Sequence, residues 1–300
     1  MENHIRQAKR NYIIPIIFGL LTIGILSLLF LREKNAIFEF EWKINIFPLL
    51  GSFIIFSINI LLMSFVWSKI LAYLGYNLDW KIHYRTYWIS NFLKRIPGTI
   101  WYVVGRMKLY ESRGIPKRLT TIASGIEYAL LLISSFAVGF AFALEKIFEQ
   151  SQYVPIAIGI FALGLVGVNP RTIQWILRIT KIDAKSPDYK TLLKWFLIYV
   201  LIWFGNGLIL FLILNTISSI KITELLFIIG SVAFVNLVSS AFFFAPSNFG
   251  IGEVTLSLML SVILPSSISV LVAIIARVLL TIYDFIWALL GYTLISADRE

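Results

Sequence analysis

The 300-residue sequence has no cysteine and only two histidines, His4 and His83, which lie far apart. Without cysteine the chain forms no disulfide bond, offers no thiolate nucleophile and supplies no sulfur ligand to a metal ion. Two separated histidines also argue against a histidine-based metal site. We therefore expect no metal and no cofactor.

Charged residues are scarce as well. They make up 14% of the chain, and hydrophobic residues make up 59%, whereas a soluble domain has about 25% charged and about 45–50% apolar residues. So few charges cannot cover a soluble globule, which excludes a soluble enzyme, a disordered chain and a fibrous repeat. The apolar runs are continuous rather than alternating, so the sequence predicts a polytopic helical membrane protein and not a barrel.

Recognisable catalytic motifs are missing. The sequence has no glycine-rich phosphate loop, nucleophile elbow, paired-aspartate metal signature or zinc-binding helix motif. The net charge of +10 points in a membrane protein to topology and anionic lipid rather than to nucleic acid. We therefore expect a protein that is not an enzyme, whose partners are the membrane and its lipids.

Long apolar runs are what the sequence has in abundance. A helix needs about 20 apolar residues to cross the hydrocarbon core. The predicted spans are 12–31, 44–68, 119–144, 150–170, 195–220 and a last span at 268–295.

Lysine and arginine are distributed unevenly between the connecting segments. The amino terminus, 69–118, 171–194 and the carboxyl terminus together hold twenty, whereas the alternate segments hold five. Because positive charge accumulates on the cytoplasmic side, we expect the amino terminus, and the carboxyl terminus with it, to be cytoplasmic. The expected location is a prokaryotic plasma membrane.

Residues 80–118 form an unusual connection that is rich in aromatic residues and interrupted at Ile96-Pro97-Gly98. The residue before a proline avoids helical geometry, while proline suits the start of a new helix. Each flanking helix has about 12 residues, which is too short to cross the membrane. We expect a re-entrant hairpin that enters from the cytoplasm; the alternative is an amphipathic pair on the membrane surface.

Residues 222–266 show the same arrangement, with an interruption from Pro246 to Gly252. If this segment enters from the outside and returns, the chain has about six spans and two opposed hairpins. Alternatively, 225–244 crosses fully and the chain has seven or eight spans.

The two halves, 1–144 and 150–300, then share one pattern of spans and hairpin within a single membrane domain. Inverted repeats of broken helices form midplane binding sites in many transporters. Helix starts after such breaks attract anions. The candidate ligands at the two breaks are Arg95, Pro97, Gly98, Trp101, Ser247 and Asn248.

Charged residues also occur where hydrocarbon is expected, and each must face protein or water and find a partner. Glu127 has Arg106 or Arg95 as a candidate partner, and Arg277 has Glu253 or a substrate phosphate. Arg106 either reaches the first break or extends to the interface. Asp284 lies two turns after Arg277 on the same helix face. The alternative role for these groups is structural ion pairing between helices.

Three motifs resemble one known family. Asn91, 96–101 (IPGTIW) and 105–106 (GR), followed by 125–127 (GIE), resemble the first conserved element of the lysylphosphatidylglycerol synthase transmembrane region, a flippase-like family. The stretch 245–253 (APSNFGIGE) resembles its second element, with Ser247-Asn248 in place of two glycines, and Arg277 resembles the arginine of its last helix. The resemblance covers nearly the whole chain.

That resemblance implies movement of a phosphate-containing lipid, an anionic phospholipid or an isoprenoid-phosphate lipid, between leaflets. No lysyl-transferring domain follows the last span, so we expect no lipid synthesis. As protein partners we expect a second copy of the chain or a separate lipid-modifying enzyme. The alternatives are a small-solute or ion-coupled secondary transporter, or a scaffold for a lipid-modifying enzyme or glycosyltransferase.

Overall fold

The structure is a computed structural model that describes residues 38–39, 45–95, 101–143, 169–241 and 250–296, without the side chains of 95, 241 and 294–296. Within these residues the chain is all-helical. Nine α-helices follow one another: α1 (Phe47–Tyr73), α2 (Trp80–Phe92), α3 (Trp101–Glu111), α4 (Lys117–Phe142), α5 (Pro170–Ile179), α6 (Tyr189–Ile217), α7 (Leu225–Ala241), α8 (Ile251–Leu260) and α9 (Ser266–Ser296).

Five segments of the described chain are long and apolar enough to cross a membrane: Phe47–Tyr73, Lys117–Phe142, Tyr189–Ile217, Ile222–Ser240 and Ser266–Thr293. The protein is thus a multi-pass, membrane-embedded helical protein. Its surface agrees, because α1 exposes a stripe of large apolar side chains of the kind that lipid covers: Leu50, Ile54, Ile58, Leu61 and Phe65.

Four of these segments coincide with the spans predicted at 44–68, 119–144, 195–220 and 268–295. The spans predicted at 12–31 and 150–170 lie outside the described residues. The fifth segment, Ile222–Ser240, covers the first part of the second predicted hairpin, and its 19 residues are long enough to cross.

Short helices flank the first predicted interruption, as the sequence indicates. Helix α2 has 13 residues and continues into a 3₁₀ turn at Leu93–Arg95, and α3 has 11 residues. The first predicted interruption, 96–98, lies outside the described residues, as do residues 246–249 of the second. The end of the second interruption was predicted too late, because Gly250 caps α8 and Ile251 and Gly252 already belong to this helix.

Side-chain caps determine where several helices begin. Asp79 accepts a hydrogen bond from the backbone N–H of Lys81 at 2.8 Å and starts α2, and Asp188 accepts one from Thr191 at 3.1 Å and starts α6. Such caps satisfy N–H groups that have no partner within the helix. In both cases the cap marks the boundary between a short loop and the helix.

Helices α1 and α6 pack extensively along each other. There the Asn59 amide donates to the Asn206 side-chain oxygen at 2.9 Å. An amide pair between apolar helices contributes about 1 kcal/mol or less, but it specifies which faces meet.

The other contacts come in matching pairs when α1–α4 are compared with α6–α9. Helix α2 packs against α9, and its counterpart α7 packs against α4. Likewise α3 packs against α4 as α8 packs against α9, and α1 against α2 as α6 against α7. The second helix of each half, α2 or α7, therefore packs against the last long helix of the other half, whereas α3 and α8 pack against the last long helix of their own half.

Candidate functional site

Arg106 lies on α3 with its side chain fully buried, paired with the carboxylate of Glu127 on α4. Its Nε donates a hydrogen bond to Ser90 Oγ on α2 at 3.0 Å. A guanidinium withdrawn from solvent needs a charge partner and hydrogen-bond acceptors, and this one receives both from neighbouring helices.

Aromatic rings surround the same guanidinium. Its Cζ lies 4.2 Å from the ring centre of Trp67, 4.3 Å from that of Tyr87 and 5.1 Å from that of Tyr102. Cations over aromatic faces at such distances are stabilised by the ring quadrupole. Helices α1, α2 and α3 thus each contribute one ring to the enclosure of Arg106.

The second oxygen of Glu127 joins further elements. Oε1 accepts a hydrogen bond from the Tyr87 hydroxyl at 2.7 Å and a longer one from the Tyr199 hydroxyl at 3.5 Å. Together with the contacts of Arg106, these bonds connect α2, α3, α4 and α6. Among the described residues, Arg106 Nη2 is a buried nitrogen that has no hydrogen-bond partner. We call Trp67, Tyr87, Ser90, Tyr102, Arg106, Glu127 and Tyr199 the Arg106 cluster.

A second ion pair connects α8 and α9. Arg277 on α9 pairs with Glu253 Oε1, and Glu253 Oε2 accepts a hydrogen bond from the Gly250 N–H at 2.8 Å. Gly250 has φ of 97°, a conformation that favours glycine. The carboxylate therefore caps the start of α8 and binds a guanidinium at the same time.

The two pairs hold corresponding positions with their charges exchanged. In the first half the short helix α3 carries the arginine and the long helix α4 the glutamate, whereas in the second half α8 carries the glutamate and α9 the arginine. Their accessibility differs, since the side chains of Arg106 and Glu127 are 0% and 1% exposed but those of Arg277 and Glu253 are 27% and 8% exposed. Of these four side chains, Arg277 is therefore the most exposed.

Asp284 lies two turns beyond Arg277 but contacts a different helix. The buried carboxylate accepts a hydrogen bond from the Asn91 amide at 2.7 Å, near the end of α2. Helix α9 consequently contacts both pairs of short helices, α8 through Arg277 and α2 through Asp284.

Among the described residues, the predicted charged side chains form three contacts, which are Arg106–Glu127, Glu253–Arg277 and Asn91–Asp284. The Arg106–Glu127 and Glu253–Arg277 pairs were each expected as one of two alternatives, and both form. Trp101 begins α3 and is 44% exposed. The side chain of Arg95 and the residues Pro97, Gly98, Ser247 and Asn248 lie outside the described residues.

Sequence reasoning missed the aromatic and hydroxyl members of the Arg106 cluster. Tyr87 and Ser90 are three residues apart on α2 and so share one face, and both contact the buried pair. The three-residue spacing could have predicted that Tyr87 and Ser90 face the same neighbour. No sequence pattern predicts that Trp67 and Tyr199, which lie on other helices, also contact this ion pair.

In the described ranges, no three histidine, aspartate or glutamate residues lie together in a way that could hold a metal ion.

Comparison with protein-family models and with curated proteins finds no match to this chain. The family resemblance of the motifs therefore stays a prediction.

Proposed function

We propose that this protein moves a phosphate-containing polar lipid between the leaflets of a plasma membrane, without chemical change to the lipid. The observation that carries the proposal is the Glu253–Arg277 pair, which lies at the start of α8, directly after the second predicted interruption, and is partly open. A phosphate is an acceptor that can replace the carboxylate on a guanidinium in bidentate geometry. Arg277 is then the residue that recognises the headgroup.

Exchange at this site is favoured by the second contact of Glu253. When phosphate binds Arg277, the Glu253 carboxylate keeps its hydrogen bond from the Gly250 N–H and stays near the start of α8. Free N–H groups and the positive end of the helix dipole also favour negative charge there. The headgroup is bound by α9 and α8 together while the acyl chains stay in lipid.

Arg106 has a positioning role in this proposal. Its cluster is sealed from solvent and joins α2, α3, α4 and α6, so it fixes the first pair of short helices against the spans. In this proposal the buried first pair is a structural contact, and the partly exposed second pair is the contact that exchanges ligand.

The proposed architecture is an inverted repeat with two opposed re-entrant hairpins, α2–α3 from the cytoplasm and α7–α8 from the outside. The matching contacts of α2 with α9 and of α7 with α4 support it. The excess of lysine and arginine in 69–118 and 171–194 supports a cytoplasmic amino terminus.

A leaflet-exchange assay tests the function. Proteoliposomes carry fluorescent phosphatidylglycerol, and dithionite added outside measures how fast inner-leaflet lipid appears outside. The wild-type protein should accelerate exchange above empty liposomes, and Arg277→Gln should return it to the empty rate. Lys221→Gln, which removes an exposed positive charge, should match wild type.

Two results would overturn the proposal. One is wild-type exchange at the empty-liposome rate with correctly folded protein. The other is full exchange by Arg277→Gln. Proton-driven uptake of a soluble compound by the same vesicles would instead support the ion-coupled transporter.

A further inference from the structure

Helix α5 (Pro170–Ile179) is a ten-residue helix that the lipid-transport proposal does not use. Asn169 caps it by accepting a hydrogen bond from the Arg171 N–H at 2.9 Å. Ten residues rise about 15 Å, half of what a span needs. The helix ends shortly before α6 begins at Tyr189.

One side of α5 is fixed to the protein. Ile173 and Leu177, four residues apart, are buried in the main apolar core. Arg118, in the first turn of α4, donates a hydrogen bond to the Thr180 carbonyl at 2.7 Å. The end of α5 is therefore held at the level where the span α4 begins.

The neighbouring side of α5 is apolar and uncovered. Trp175 is 62% exposed, Ile179 is 58% exposed and Ile176 is 37% exposed. At roughly 100° per residue these three lie on one flank beside the buried side, while Arg171, Gln174 and Arg178 occupy the remaining polar arc. An exposed tryptophan with two isoleucines is costly in water.

Positive charge surrounds this flank. Between Asn169 and Lys194 the chain has six basic and two acidic residues, and Lys181 and Lys185 are exposed just beyond α5. Arg118 in α4 adds an exposed cation on the same side. An acidic surface complements this charge.

We propose that α5 is an interfacial helix that binds anionic lipid headgroups at the bilayer surface. Trp175, Ile176 and Ile179 enter the boundary between headgroups and acyl chains, and Arg171 and Arg178 contact lipid phosphates. Amphipathic helices with an apolar face and basic flanks bind membranes in this way. The bilayer is the occupant because α5 is fixed at the start of α4, where the membrane surface begins.

Depth measurements test the insertion, and the absence of cysteine in the chain makes single labels possible. Trp175→Cys and Ile179→Cys on the apolar flank, and Asp183→Cys at an exposed position in the loop after α5 as control, carry a bimane dye in proteoliposomes. Lipid-borne doxyl near the glycerol should quench the dye at 175 and 179 more than aqueous iodide does, with the reverse order at 183. Iodide quenching at 175 as strong as for free dye, or shielding from both quenchers, would overturn the proposal.

Lipid selectivity is tested with the label at 179. Doxyl-phosphatidylglycerol should quench more than doxyl-phosphatidylcholine at equal mole fraction. The reason is that each basic residue near an anionic surface strengthens binding to anionic lipid about fivefold. Arg171→Gln with Arg178→Gln should remove the preference, while Lys221→Gln keeps it. Equal quenching by both lipids in the protein without the arginine changes would refute anionic selection. These quenching measurements do not depend on leaflet exchange, so the interfacial helix and the lipid-transport function can be tested separately.

Discussion

Arg106 and Glu127 form an ion pair between α3 and α4 in which neither side chain reaches solvent. The pair is stabilised by Ser90, by two tyrosine hydroxyls and by three aromatic rings, so no charge is left without compensation. Such a pair holds helices in register, and removing either member leaves the other buried and unpaired.

Removing both members of this pair should cost less than the sum of the two single removals. Arg106→Met and Glu127→Leu should each lower the free energy of unfolding by about 3–5 kcal/mol. The double variant should lose clearly less than the sum, because no isolated charge stays buried. Tryptophan fluorescence during denaturation in micelles measures the three losses, and additive losses would contradict a coupled pair.

The close approach of α6 to α7 requires a residue without a side chain at Gly207. A Cβ there would lie 2.4 Å from the backbone Cα of Ile229. Gly207→Ala should therefore lower the melting temperature, since backbone cannot move aside cheaply. Gly125→Ala is the matched control because its Cβ meets nothing within 4 Å. Equal effects of the two substitutions would mean that α6 and α7 are further apart.

Glu253 has two contacts that can be separated. Glu253→Gln should keep a hydrogen bond from the Gly250 N–H but lose the negative charge that pairs with Arg277. Glu253→Ala should lose both the hydrogen bond and the negative charge. Since a helix cap contributes about 1 kcal/mol, the alanine variant should be less stable than the glutamine variant by roughly that amount. Denaturant titration in micelles compares them, and identical stability would exclude the capping contact.

The two opposed hairpins that we propose predict which helix ends share a side of the membrane. Single cysteines at Lys81 and Arg113, which flank α2–α3, should react with an impermeant maleimide only from the cytoplasmic side. Cysteines at Lys221 and Ser266, which flank α7–α8, should both react only from the outside. Labelling of intact cells and of inverted vesicles measures this. Reaction of positions 221 and 266 from opposite sides would show that α7 crosses fully.

Much of the described fold could be predicted from the sequence. Four predicted spans, the short helices around 96–100 and the need of Glu127 and Arg277 for partners come from hydropathy, proline geometry and the cost of buried charge. Hydropathy and proline geometry describe only local structure, and the cost of a buried charge requires a partner without specifying which residue it is. They therefore leave open which of two candidate partners is chosen.

The remainder depends on how helices are placed in space. Asp284 and Arg277 share a face of α9, yet seven residues separate them by about 10 Å along the helix, so they contact Asn91 and Glu253 on different helices. The difference in exposure between the two ion pairs also results from tertiary packing. Whether Ile222–Ser240 crosses depends on its surroundings, because its length permits crossing.

Recognition of a lipid phosphate by Arg277 is the claim on which the functional account depends, and native mass spectrometry tests it most directly. Delipidated protein is mixed with equal amounts of phosphatidylglycerol and of diacylglycerol with the same acyl chains, which lacks phosphate. The wild-type protein should retain phosphatidylglycerol preferentially, and Arg277→Gln should retain both alike. No preference in the wild type, or an unchanged preference in the variant, would contradict phosphate recognition by Arg277.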